Sequence, residues 1–238
     1  MRKFVLFFSL FAVCMGCRSW HTIFEDDFNS QNSYETPAVP NATVQEYGEN
    51  ALQEGHLLKK WNYSWTYDPS GDWKQAFYVV PVGKDYMEQA GRSAHFGNYR
   101  LVADSEIPSS ASKYEIRFKQ WKNDNDPVFF LLGTDGKGDG GVRFGYENQL
   151  PESDKTVDTV YMRGALGKVQ IPGKSYFRKW AEHTIQVNVP KKEVSWAVNG
   201  ETLVKAKVEN LKPGGHFAFC QHYERGTRYD DIEIKVFN

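Results

Sequence analysis

The chain has 238 residues, with 29 lysines and arginines against 30 aspartates and glutamates, for a formal net charge of −1. That balance excludes bulk electrostatic attraction to nucleic acid, and no nucleic-acid partner is expected. The length is ample for a single core. In chain order, Arg2-Lys3 opens a short positive region, Phe4 to Val13 is an apolar run broken only by Ser9, and Cys14-Met15-Gly16-Cys17 precedes a turn to polar residues. This is the layout of a secretory signal, and it is too short to span a bilayer as a mature helix. Of the three cysteines, only Cys220 lies in the mature fold beyond Cys17. That excludes a disulfide framework and spells out no zinc cluster. Cys220 itself reads as a buried small hydrophobe.

Gly16-Cys17 resembles the end of a bacterial lipobox, in which the cysteine is acylated and becomes the mature N-terminus. The departure is Cys14, where such boxes usually carry leucine. The resemblance implies residues 1–17 as a lipoprotein signal and Cys17 as the lipidation site. The membrane would then be a partner only through the anchor, with an outer-membrane lipoprotein facing the periplasm or the cell surface.

Residues 18–238 read as a single β-sandwich domain. Ile23 to Phe28 looks like a first strand, and about 29–55, rich in Asn, Gln, Glu and Pro, reads as a long polar loop. Strands are then expected near 74–80, 98–104, 113–122, 127–133, 141–148, 157–163, 167–171, 181–189, 193–199, 202–208, 215–223 and 229–237. Turn signals such as Asn199-Gly200 and Pro213-Gly214-Gly215 separate them, and no helical period intervenes. The fold class is all-β, a two-sheet antiparallel sandwich or jelly roll. In 185–198, strict alternation sends Ile185, Val187, Val189, Val194, Trp196 and Val198 to one core.

Trp180 with Ile185-Gln186-Val187, then Trp196 to Gly200, then Gly214 to Phe219 and Tyr229 to Ile234 follow a recurring order. It resembles the C-terminal half of concanavalin A-like lectin/glucanase domains, and Phe24 to Phe28 is similar to their first strand. The layout also resembles 3-keto-disaccharide hydrolase domains, though their Asn-Ser-Gly segment is missing here. The likeness implies the sandwich and a glycan partner; it does not single out one activity, because the superfamily holds lectins, hydrolases, lyases and adhesion modules.

Alternation also names candidate site residues. Glu115, Arg117, Lys119 and Trp121 point away from the core side of their strand; so do Arg143 and Glu147, Tyr161 and Arg163, and His216, Cys220 and His222. Were these strands to share one sheet, Arg117, Lys119, Trp121, Arg143, Glu147, Tyr161, Arg163 and His222 would form a basic, aromatic surface suited to an acidic sugar, with Gln221 a further sugar-contacting candidate should a bulge or the strand end release it from the core side. Arginine forks pair with carboxylate or sulfate, and aromatic faces stack on pyranose rings.

A retaining glycosidase needs two carboxylates about 5 Å apart, and no Glu-x-Asp-x-x-Glu run is present. Asp124 and Asp126 have the spacing but lie in an apparent turn. A polyuronate lyase needs instead a group that neutralises the uronate carboxylate and a His or Tyr that takes the C5 proton. His222 and Tyr223, with Gln221 beside them and His95 as a second candidate base, supply those types. The leading expectation is β-elimination on an acidic polysaccharide by an exported monomer. The alternatives are a non-catalytic glycan-binding lipoprotein and a hydrolase of the 3-keto-disaccharide type. Asp135 to Gly141 reads as a hairpin loop rather than a metal loop. Asp27 and Asp231, on strands expected to neighbour each other, allow a structural calcium; no other cofactor is expected.

Overall fold

The computed structural model describes residues 19–28, 60–65, 78–81, 92–95, 99–122, 127–149, 159–174, 176, 179–221 and 227–237. Fifteen strands are formed among them: β1 (Trp20–Asp26), β2 (Trp61–Trp65), β3 (Tyr78–Pro81), β4 (Arg92–His95), β5 (Tyr99–Ala103), β6 (Lys113–Trp121), β7 (Val128–Thr134) and β8 (Val142–Gln149). They continue as β9 (Thr159–Gly164), β10 (Gln170–Pro172), β11 (Trp180–Asn188), β12 (Glu193–Val198), β13 (Glu201–Lys207), β14 (His216–Gln221) and β15 (Arg228–Phe237). No helix occurs among the described residues.

Sheet I runs β13-β12-β11-β6-β15-β4-β3, with β1 also paired to β15; sheet II runs β10-β9-β8-β7-β14-β5-β2. Every pairing is antiparallel. The chain crosses between the sheets six times after β3, so the expected two-sheet jelly roll is what forms. The strand spacing misses two members, Trp61–Trp65 and Arg92–His95. The first, Trp-Asn-Tyr-Ser-Trp, is a plain period-two signal inside polar surroundings; the second has no apolar alternation to read.

Alternation makes the interface. On β11, Ala181, His183, Ile185 and Val187 are buried, and on β12 Val194, Trp196 and Val198 face the same layer. Asn199 and Gly200 both take positive φ, 49° and 78°, as a tight hairpin turn demands. Phe118 lies at the centre, 5.1 Å from Phe130 and 5.0 Å from Phe219. At one edge Asp26 ties strands together by accepting the Trp61 indole N–H at 2.7 Å and the Phe28 N–H at 2.9 Å. Full burial of one such apolar side chain is worth about 1.5–3 kcal/mol. A surface ion pair is worth about 0–1 kcal/mol, so this inner layer decides the stability.

One buried group runs against that pattern. His183 is fully buried, stacked on Phe118 at 4.9 Å, and its Nδ1 accepts the Trp196 indole N–H at 3.2 Å. Its Nε2 finds no partner. Burial pushes its pKa down to about 3, so it is neutral, with the proton on Nε2.

Candidate functional site

The condition that the basic strands share one sheet does not hold. β6 belongs to sheet I, whereas β8, β9 and β14 belong to sheet II. Arg117, Lys119 and Trp121 therefore face away from Arg143, Glu147, Tyr161 and Arg163 across the full thickness of the sandwich. The single surface expected from alternation is two surfaces. Alternation along each strand is right; which sheet each strand joins is set by long-range pairing that period-two patterning does not encode.

The sheet I outer face matches its own charges. Arg117 pairs with Glu115 at 2.7 Å, and the same carboxylate accepts from Gln186 at 2.7 Å. Lys119 pairs with Asp231 at 2.6 Å, and Glu233 with Lys235 at 2.8 Å. Trp121 is buried, with the Arg228 guanidinium 5.8 Å from its ring centroid. Arg117, Lys119 and Lys235 are balanced one for one by Glu115, Asp231 and Glu233, so these pairs leave no positive excess to collect an acidic sugar. Replacing Lys119 with methionine is expected to change unfolding free energy by less than about 0.5 kcal/mol in urea titrations.

Asp27 and Asp231 do come to adjoining strands, next to the Asp26–Ile232 register pair. Asp231 is committed to Lys119, however, and among the described residues no group of three or more His, Cys, Asp or Glu side chains is arranged to hold a metal. The pair alone does not make a calcium cage, which needs six or more oxygen ligands. Beside them Asp230 is buried, and its carboxyl is pushed up to about 7. Desolvation is the main cause, helped by the charges of Asp231 and Asp27 and opposed by the Asp231 N–H at 2.8 Å.

Sheet II carries the other residues, and its outer face is unusual in being apolar at the centre. Val102, Phe129, Leu131, Ala218 and Cys220 form a buried cluster there, separate from the main core. One rung of the ladder reads Arg100, Cys220, Phe129, Gly145, Arg163 across β5, β14, β7, β8 and β9. Gly145 has no room for a side chain: a Cβ would sit 2.0 Å from the Val128 carbonyl oxygen and 2.8 Å from the Phe129 ring. The Arg143 guanidinium in turn lies 3.7 Å from the Phe129 ring centroid. Phe129 is thus held between the bare β8 backbone and a stacked cation.

Towards β5 the face is closed by the Asp135–Gly141 loop, which forms the hairpin turn expected of it. Asp135 accepts the N–H groups of Lys137 and Asp139 at 2.8 Å each, and these hold its carboxyl below the usual range. Arg100 donates to the Gly138 carbonyl at 3.1 Å and pairs with Asp139. Burial pushes the Cys220 thiol up, with the nearby charges of Arg143 and Arg100 pulling partly the other way. Cys220 is a packing residue, as its sequence context suggests.

Towards β10 the face is open. A cavity of about 330 Å³ is lined by Glu147, Tyr161, Met162, Arg163, Lys168, Val169 and Gln170. Three of the expected sugar-contacting residues, Glu147, Tyr161 and Arg163, therefore converge. Arg163 is oriented by Glu147, to which its Nη2 donates at 2.5 Å. The β9–β10 turn supplies Lys168 and Gln170 through the Met162 N–H to Val169 carbonyl bond at 2.7 Å. Sequence reasoning did not single out Phe129, Lys168 or Gln170. For Phe129 a signal existed: Val128 to Leu132 is apolar at every position, which a strand wet on one side would not be.

His222 and Tyr223 lie outside the described residues, as do Cys17 and the 29–55 segment. Gln221 ends β14 opposite Val128 in sheet II, whereas His95 ends β4 opposite Arg228 in sheet I.

No protein-family model matches the chain, and neither does any curated protein. Solved structures similar to it include peanut lectin, at 12% identity and TM-score 0.44, over 74% of this chain and 96% of that one. A Bacillus subtilis protein of unknown function with a galectin-like fold aligns at 14% identity and TM-score 0.43, over 76% and 91%. A sialidase aligns at 10% identity and TM-score 0.48, over 74% of this chain and 17% of its own. The strand order and crossings carry the fold class. The chain is a two-sheet antiparallel jelly roll.

Proposed function

We propose that the chain is an exported glycan-binding lipoprotein whose sugar site is the outer face of sheet II at the β8–β10 end. The observation that carries the reading is the convergence of Glu147, Tyr161, Arg163, Lys168 and Gln170 on one cavity. Tyr161, half-buried on the strand face, offers a ring for the C–H side of a pyranose. Glu147 and Gln170 match hydroxyls. Arg163, fixed by Glu147, and the exposed Lys168 give the cavity a positive excess, which favours a sugar bearing carboxylate or sulfate.

Binding to alginate, pectin, ulvan and glycosaminoglycan oligosaccharides, measured by titration calorimetry, tests this. Arg163→Ala and Tyr161→Ala are each expected to weaken binding about tenfold or more, the scale of one hydrogen bond to a charged group or one stacked ring. No affinity for any of them would sink the proposal. Lyase chemistry through His222, Tyr223 and His95 is read in the same experiment. Ultraviolet absorbance of unsaturated uronate that appears with wild type and vanishes in His222→Ala would make the site catalytic; binding without it leaves a lectin-like module.

A further inference from the structure

Among the described residues, two large hydrophobic side chains stand exposed, Val169 at 38% in the sugar cavity and Trp20 at 46%. Trp20 opens β1 and lies on the terminal rung of sheet I, which reads Trp20, Phe237, Lys113, Asn188, Glu193, Lys207 across six strands. The Trp20 and Phe237 rings are 5.5 Å apart, and the Lys113 ammonium lies 5.7 Å from the Phe237 centroid. Beyond this rung comes the exposed Pro190-Lys191-Lys192 turn. The charges at this end are Lys113, Lys191, Lys192 and Lys207 against Glu193 and Glu209, with Glu193 also facing Lys205 at 3.5 Å and Glu209 facing Lys192 at 3.3 Å. An aromatic pair with one lysine beside it and further lysines along the same edge is the composition of a surface that meets lipid headgroups: the rings enter the interface, while the lysines reach anionic phosphates.

We propose that this end of the sandwich, with Trp20 and Phe237 at its centre, docks on the headgroup layer of the bilayer that anchors the chain. The proposal rests on Cys17 being the acylated residue. Cys17 precedes Trp20 by three residues, and an extended chain spans at most about 3.6 Å per residue, or roughly 11 Å in all. A lipid on Cys17 therefore holds the Trp20 rung within roughly 11 Å of the membrane surface. The tether supplies the affinity and the rung supplies the orientation, with the outer face of sheet I at that end turned towards the bilayer.

The test uses the full-length protein purified from membranes and reconstituted into vesicles of phosphatidylethanolamine and phosphatidylglycerol containing brominated acyl chains, which quench tryptophan at short range. Of the seven tryptophans, Trp20 is expected to account for the quenchable part, so Trp20→Phe should remove most of the quenching while the protein stays tethered and folded. Lys191→Glu should reduce it by about half. Absent quenching, or quenching unchanged by Trp20→Phe, would overturn the docking. The mass of the purified N-terminal peptide and the membrane partitioning of Cys17→Ser report on the anchor independently. Acylated protein without Trp20 quenching overturns the docking and leaves the tether standing; an unmodified Cys17 overturns both.

Discussion

Gly145→Ala is expected to destabilise the protein by about 3 kcal/mol or more. Gly145 sits in β8, near the middle of sheet II, and pairs with Phe129 on one side and Arg163 on the other. A methyl group there would meet the Val128 carbonyl oxygen at 2.0 Å and the Phe129 Cα at 2.8 Å, both backbone atoms of the adjacent strand. Neither can yield without opening the ladder. The Phe129 ring would also have to lift, which undoes the Arg143 stack at 3.7 Å and disturbs the floor beside the cavity. Gly140→Ala is the matching control. Its Cβ would meet nothing within 4 Å, and its only cost is the strained φ of +73°, worth about 1–2 kcal/mol. Urea unfolding of both variants separates collision from backbone strain. Equal losses would show that the β7–β8 approach is not as close as described.

The second large effect is in pH. Neutral His183 has its pKa held near 3 in the fold, against 6.5 for the free side chain. Its contribution is fully present above about pH 6.5 and is lost as the pH falls, at about 1.4 kcal/mol per unit until the folded value is reached. Asp230 works in the opposite sense. Its carboxyl is raised to about 7 from 3.8, so the fold keeps a proton that the unfolded chain releases. The stability from Asp230 is present below the unfolded value and lost as pH rises towards 7. Between about pH 4 and 6.5 the two slopes oppose each other, and the wild-type stability is expected to be nearly flat. Asp230→Asn should expose a steep loss towards acid. His183→Phe should expose a loss towards neutrality, whatever its absolute cost from leaving the Trp196 indole N–H without an acceptor. Urea midpoints across that range decide the matter; parallel profiles for all three proteins would refute the buried titrations.

The sandwich was largely legible in the sequence because apolar alternation is local. Ile185 to Val198 face the core as their spacing requires, and Asn199-Gly200 turns where its chemistry places it. Sheet membership was not legible. Arg117 and Arg163 occupy equivalent outward positions on their strands, and only the pairing of β6 with β11 and β15, rather than with β7, sends them to opposite faces. That choice depends on partners 59 to 124 residues away in the chain, which no window of alternation samples. Of the expected surface, Glu147, Tyr161 and Arg163 therefore line a cavity, while Arg117 and Lys119 are held in ion pairs on the opposite face. Lys168 and Gln170 were missed for a related reason: they sit on a short edge hairpin, where polar residues carry no period.

The position of β15 bears on how the molecule is made. The last ten-residue strand (Arg228–Phe237) is an interior member of sheet I, bonded to β6 along its length and to β4 and β1 on its other edge. In sheet I, β1 and β6 thus depend on the same partner, which lies far from both in sequence. Loop-closure entropy must be met before that long-range pairing is rewarded. Without β15, β1 and β6 would each keep an unpaired edge in sheet I, and such edges invite pairing with other chains.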